Sequence, residues 1–326
     1  MNNTDIKLKG YFSDIRLRRR SDGKERPLFD RIDNLITDIG LDQPATCSWW
    51  GCFSYLMLGT GSTPATFADT ALEAKIGATN TYSGTENGYD YTNSTKKVRY
   101  WTTFVYYGSD TDPITFREMG VSPDGTLAFN RIVLAADATI PTGYDLIAKY
   151  TLELTFPFFR TAVAHTISIA GVSVPGKKMA CDYGEDNAFP GSGMLYRERV
   201  TDPSHVTSYP YLLEGKESLG GITINCCRVL TSSVDLSSVQ RVTGLPTGVA
   251  RYTHATEDYV AGNHYLDRVF TIPASDYPAA TLHGFYIASY EGFSSPSAAV
   301  FAFDAGVTKP ATDSWTITNR LSWGRA

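Results

Sequence analysis

The stretch Leu146-Ile-Ala-Lys-Tyr150-Thr-Leu-Glu-Leu154-Thr-Phe-Pro-Phe158 decides the fold class. Leu146, Ala148, Tyr150, Leu152, Leu154, Phe156 and Phe158 are apolar or small at every second position, and Lys149, Thr151, Glu153 and Thr155 fill most of the places between. A period of two is that of a strand with one face buried and the other wet or paired with a neighbour. Upstream, residues 98–107 are rich in aromatic and β-branched side chains. Ile114-Thr-Phe-Arg-Glu-Met-Gly-Val121 follows, then the turn Ser122-Pro-Asp-Gly125, then residues 127–134. The spacing predicts strands joined by short loops, a β-meander.

The chain has 326 residues, 42% of them hydrophobic and 13% aromatic, enough for two ordinary domains or one large all-β unit. A net charge of -5 argues against a nucleic-acid coat or a polybasic membrane anchor, and sequence-specific nucleic-acid binding is not expected. Residues 1–10 contain no apolar core of a signal peptide, and no run approaches the roughly 18 to 20 apolar residues of a membrane span. The expectation is a protein made and folded in a cytoplasm, without membrane insertion. Five cysteines, Cys47, Cys52, Cys181, Cys226 and Cys227, are an odd number, which favours buried thiols. The neighbours Cys226 and Cys227 would point to opposite faces of a strand.

Around this centre the chain divides into an N-terminal arm (1–28), a first β-sandwich-like domain (29–158) and a second (159–326) with an irregular insertion near 181–218. The arm holds Ile15-Arg-Leu-Arg-Arg-Arg20 and Ser21-Asp-Gly-Lys24, which predict a strand, a turn and a return, solvated or reaching to a neighbouring subunit. Ile32, Leu35, Ile36 and Ile39 form the stripe of a short amphipathic helix over 29–41, with Asp30 as N-cap and Gly40 as stop. Residues 49–58 suit a strand buried on both faces, 68–76 one or two helical turns capped by Asp69, and 79–94 a polar loop. Gly59 and Gly61 suit a turn, and Gly120 a close backbone approach within a sheet. Arg117 and Glu118 face opposite sides of their strand, where cross-strand or intersubunit partners would fix register.

In the second half, 161–174 alternates weakly and Pro175-Gly-Lys-Lys178 is read as a turn. Strand character returns over 221–230, 249–252, 265–272, 281–289, 298–303 and 314–323. At an offset of about 168 to 169 residues, Trp101 falls on the Val269-Phe270 region, Leu134 on Phe303, Pro141 on Pro310, Leu146 on Trp315 and Leu152 on Leu321. That raises an internal duplication, although any two meanders of this size align comparably. The fold class is therefore all-β, two β-sandwich-like domains with short helices near the N-terminus.

The order Asn34-Leu-Ile-Thr37 with Gly40-Leu41, Leu58-Gly-Thr-Gly-Ser-Thr-Pro64, Asp69-Thr-Ala-Leu72, an aromatic strand, Ile114 to Val121, and Arg131 resembles a group of tailed-bacteriophage virion proteins, β-sandwich tail or tail-fibre-associated proteins. The likeness covers roughly residues 29–156. It implies a structural role, with the chain itself (as a homo-oligomer) and other virion proteins as partners, location in the virion, and assembly in the tail or head-tail junction. It supplies no catalytic residues. A host-surface glycan-binding module of a tail fibre or tail tip is the alternative, since tyrosines such as Tyr82, Tyr89, Tyr91, Tyr183, Tyr209 and Tyr211 suit interfaces or sugar stacking.

No catalytic, cofactor-binding or metal-binding residue is assigned, and no enzyme activity is expected. Asp182-Tyr-Gly-Glu-Asp186 lacks the ligand alternation of an EF-hand loop. His165, His205, His254, His264 and His283 show no zinc-site spacing, and Gly191-Ser-Gly-Met194 is not a nucleophile elbow. Residues 59–64 lack the Lys and Ser or Thr of a phosphate loop.

Overall fold

The computed structural model describes residues 2–43, 51–91, 95–157, 163–169, 172–181, 226–231, 233, 251–256, 259–288 and 298–326. The fold is all-β. The strands are β1 (Asn2–Arg19), β2 (Glu25–Asp33), β3 (Leu35–Ile36), β4 (Tyr55–Gly59), β5 (Lys75–Thr79), β6 (Tyr82–Tyr91), β7 (Thr95–Tyr106), β8 (Ile114–Ser122), β9 (Asn130–Ile140) and β10 (Tyr144–Pro157). They continue as β11 (Val163–Ile169), β12 (Val172–Cys181), β13 (Cys226–Leu230), β14 (Arg251–Thr256), β15 (Tyr265–Ile272), β16 (Thr281–Ala288), β17 (Ala298–Thr308) and β18 (Trp315–Arg325).

A 13-stranded sheet runs in the order β11-β12-β17-β16-β13-β14-β15-β18-β1-β10-β7-β6, with β2 also on β1, and a five-stranded sheet runs β3-β9-β8-β4-β5. The alternation that opened the sequence reading is realised in β10, where Leu146, Ala148, Tyr150, Leu152 and Leu154 are fully buried. They meet Phe12, Phe104, Phe53, Phe116 and Phe129 in one core, while Ile167, Phe270, Phe285, Phe301 and Ile317 belong to a second. Tyr150 lies between the Phe12 and Phe53 rings at 5.2 and 5.3 Å.

The expected meander is corrected. β7 pairs with β10, whereas β8 and β9 pair with each other in the facing sheet. The chain crosses between layers at two tight corners: Gly143 adopts φ 77°, and the buried Asp145 carboxylate accepts from the Gly108 N–H and pairs with Arg18 and Arg20. A hairpin inserted between two paired strands makes a sandwich where a strict meander would make one flat layer.

The N-terminal segment is not a free arm. Its strand, Asp-Gly turn and return are present, with Gly23 at φ 70°, but β1 lies inside the large sheet. One edge of β1 pairs with β10, and the other pairs with β18 along residues 2–8 and with β2 along residues 11–18. Ile6, Leu8, Phe12, Ile15 and Leu17 are buried. Arg16 and Arg18 alternate with Ile15 and Leu17 on the opposite face of a core strand, and Arg19 and Arg20 lead into the turn.

The helix expected over 29–41 is instead β2, β3 and a short helix α1 (Asp38–Asp42). Residues 29–33 complete the open edge of β1, with Ile32 opposite Phe12, and the ladder overrides a helical period this short. Thr37, not Asp30, is the N-cap, accepting from the Gly40 N–H at 2.9 Å. Gly40 sits within the helix, where a β-carbon would strike the Phe129 carbonyl. Residues 51–53 form a 3-10 turn before β4; no helix forms over 68–76, which lead into β5; and the loop expected over 79–94 contains β6. Pro175 lies within β12, the reversal falling between Ile169 and Val172. Pairing of β12 with β17 begins only at Gly176, so the missing proline N–H breaks no ladder bond there. The insertion expected near 181–218 lies, beyond Cys181, outside the described residues.

Candidate functional site: a buried ionic clasp

Three stretches of the sequence, around Gly61, Asp69 and Glu118, come together at Arg131. This residue sits on β9, 3% exposed, beside Glu118 of β8, which is fully buried. Arg131 Nε donates to Glu118 Oε2 at 2.8 Å, Nη1 to Asp69 Oδ2 at 2.8 Å and Nη2 to Glu73 Oε2 at 3.1 Å. The planar guanidinium thus faces three carboxylates, the geometry for which arginine is suited over lysine.

Each carboxylate in turn fastens the segment between β4 and β5. Glu118 Oε1 accepts from the Gly61 and Ala74 N–H groups at 3.1 and 2.7 Å, and Oε2 accepts from the Glu73 N–H at 3.1 Å. Glu73 accepts from the Thr63 N–H and hydroxyl, and Asp69 from the Thr66 N–H and hydroxyl. The role of the glycines is therefore not the turn expected of them. A β-carbon on Gly61 would lie 2.6 Å from Glu118 Oε1, so its absence admits the carboxylate to the backbone. Gly120 does permit a close approach, since a β-carbon there would lie 2.5 Å from the Asn130 carbonyl oxygen. Asp69 caps no helix; it ties its turn to Arg131.

Burial works to raise the Asp69 carboxyl, but hydrogen bonds from Arg131 and Thr66 outweigh it and hold it below the usual range. Glu73 is held low chiefly by the Thr63 hydroxyl and N–H. Burial works to lower the Arg131 guanidinium, and its carboxylate partners raise it above its ordinary value. These shifts favour charged, mutually satisfied groups. A general acid or base would need the opposite, a proton poised near neutrality.

A second junction fixes the C-terminal strand. Trp323 donates its indole N–H to the Leu41 carbonyl, Arg325 Nε donates to the Ile36 carbonyl at 2.7 Å, and the Arg325 guanidinium lies over the Phe67 ring. Asp42 accepts from the Tyr259 hydroxyl and from the Gly262 N–H. Burial and the Asp42 carboxylate push the Tyr259 hydroxyl above its ordinary range.

The remaining residues singled out in the sequence are dispersed. Arg117 reaches Asp137 at 3.8 Å on the sheet surface, His165 packs on Phe301, and His264 lies 3.4 Å from Asp42. His254 and His283 lie on β14 and β16. Cys52 is buried, Cys181 ends β12, and Cys226 and Cys227 start β13. Tyr82, Tyr89 and Tyr91 lie on β6. Cys47, His205, Tyr183, Tyr209, Tyr211, residues 182–186 and residues 191–194 lie outside the described residues. Among the described residues, no group of three or more His, Cys, Asp or Glu side chains could hold a metal ion, and no helix is long and apolar enough to cross a membrane. No family model, curated protein or solved structure matches the chain.

Proposed function

We propose that this chain is a structural component of a tailed-bacteriophage virion, assembling as an oligomer in the tail or at the head-tail junction. The observation that carries the proposal is the clasp. Gly61, Asp69, Glu118 and Arg131, which lie within the stretches whose order resembles such virion proteins, are satisfied by one another, and their work is to pin the long loop between the paired strands β4 and β5 to its sheet. Mechanism here means assembly, in which rigid sandwiches bury surface against neighbouring copies and other virion proteins. A ring-sized copy number of the chain in purified particles, counted by quantitative peptide mass spectrometry against the major capsid protein, would support this. Absence from the particle would overturn it.

A host-surface glycan-binding role is the second reading, favoured by Tyr82 and Tyr107, each 58% exposed. Amphipathic rings held open to solvent suit stacking on sugars. Glycan-array binding lost in Tyr82→Ala or Tyr107→Ala would support it, and no binding by the intact chain would remove it.

A further inference from the structure

The pairing of β1 on its two edges follows one rule. Lys7 stands opposite Thr155 on β10 and opposite Gly324 on β18, residues 169 positions apart. One step either way, Leu8 faces Leu154 and Ile6 faces Trp323, again 169 apart. Three steps away, Gly10 faces Leu152 and Thr4 faces Leu321; five steps away, Phe12 faces Tyr150 and Asn2 faces Asn319. The same offset joins Pro141 to Pro310 and Leu146 to Trp315 in the sequence, with no reference to β1. β1 is antiparallel to β10 and parallel to β18, so the two flanking strands run in opposite directions. A two-fold axis normal to the sheet at Lys7 produces this arrangement.

The surrounding ladders repeat in the same sense. β7 pairs with β10 as β15 pairs with β18, and in each the fully buried Phe104 or Phe270 stands opposite the equivalent Ala148 or Ile317. The hairpins β8-β9 and β16-β17 share an irregularity. From Phe116–Ala138 to Glu118–Val133 the first strand advances two residues while the second moves back five, and from Leu282–Val307 to Gly284–Ala302 the step is identical. β4 pairs with β8 as β13 pairs with β16. The consecutive β5 and β6 pair with β4 and β7, and β14 spans both roles by pairing with β13 and then β15. Two unrelated meanders could share an offset in one ladder. The common irregularity, a step of two residues on one strand and five on the other in both hairpins, is a separate coincidence, and the offset of 169 places the axis relating the two at Lys7.

We infer that the chain is a fused two-fold pair, two copies of one sandwich unit about an axis at Lys7, with β1 as the central strand shared by both. Each copy of the chain then brings two equivalents of the unit to any assembly, and the edges of β10 and β18 that meet at β1 are closed to further partners. The units have diverged at the clasp: Gly284, at φ 148°, occupies the place of Glu118.

An experimental structure of the full chain tests the relation. Superposing β7 and β10 on β15 and β18 should give a rotation near 180° about an axis passing by Lys7. A rotation far from that, or one accompanied by a large translation along the axis, would overturn the inference. Hydrogen exchange on full-length variants tests the sharing. Ile6→Ala should speed amide exchange in β18, and Leu8→Ala in β10, each by roughly tenfold or more. If both variants loosen β10 alone, β1 belongs to one unit and the shared-strand inference fails.

Discussion

The Trp323 indole N–H donates to the Leu41 carbonyl at 2.5 Å, across 282 positions of sequence. This bond and the Tyr259 ring stacked 5.7 Å from Trp323 fasten β18 to α1. Trp323→Phe keeps an aromatic ring but strands the carbonyl, and the expected loss is about 1–3 kcal/mol, read from the midpoint of a denaturant titration. An unchanged midpoint would mean that the bond adds nothing to stability.

Arg131→Ala leaves the fully buried Glu118 without its cation, and the expected loss is about 3–5 kcal/mol. Replacing both members, Arg131→Met with Glu118→Gln, should cost clearly less than the single change, because the fully buried charge is gone and the carboxylates that lose their cation, Asp69 and Glu73, reach solvent. A double variant at least as damaged as Arg131→Ala would show that the clasp acts through shape alone.

Acid should loosen the molecule in a defined window. Burial works to raise the Asp124 carboxyl, but the Leu127 and Thr126 N–H groups and the Thr126 and Ser122 hydroxyls pull it down to about 2. The unfolded chain takes up this proton first, near the ordinary value of 3.8. Its contribution is therefore whole above about pH 4 and is lost as pH falls to about 2. Asp69 and Glu153, both also lowered, act in the same direction. Stability measured between pH 5 and 2 should fall, with a shallower slope in Asp124→Asn.

Gly10 on β1 leaves room for the fully buried Tyr150, since a β-carbon there would lie 2.5 Å from both the Tyr150 hydroxyl and Asn34 Oδ1. Gly10→Ala should cost about 1–3 kcal/mol by overpacking, whereas Gly143→Asn, a turn position at φ 77° with open space around it, should cost less. Thermal unfolding distinguishes the two, and equal shifts would contradict the crowding at Gly10.

The strand content was legible because β10, β15 and β18 carry their period within a few residues. The β1 period was also written in Ile6, Leu8, Phe12, Ile15 and Leu17, but the irregularity at Asp14, φ 52°, breaks it in the middle. The arginines at 16 and 18–20 then look like a solvated arm. Over 29–41, apolar spacings of three and one fit a helix as well as two short strands, and only the open edge of β1 chooses between them. The clasp was present as separate words. Arg131 and Glu118 are 13 positions apart and Arg131 and Asp69 are 62 apart, and no local pattern joins residues that meet only when β8 pairs with β9 and the segment between β4 and β5 folds onto them.

The parallel ladder of residues 2–8 with residues 319–325 also sets a timetable. β10 reaches β1 midway through synthesis, but β18 emerges only after on the order of ten seconds more at roughly 5–20 residues per second. Until then residues 2–8 on that edge of β1, beyond the part that β2 covers, are an open template beside the nascent chain. A message cut short before β18 would yield a protein whose first half is folded and whose unpaired strand marks it for chaperones and proteases.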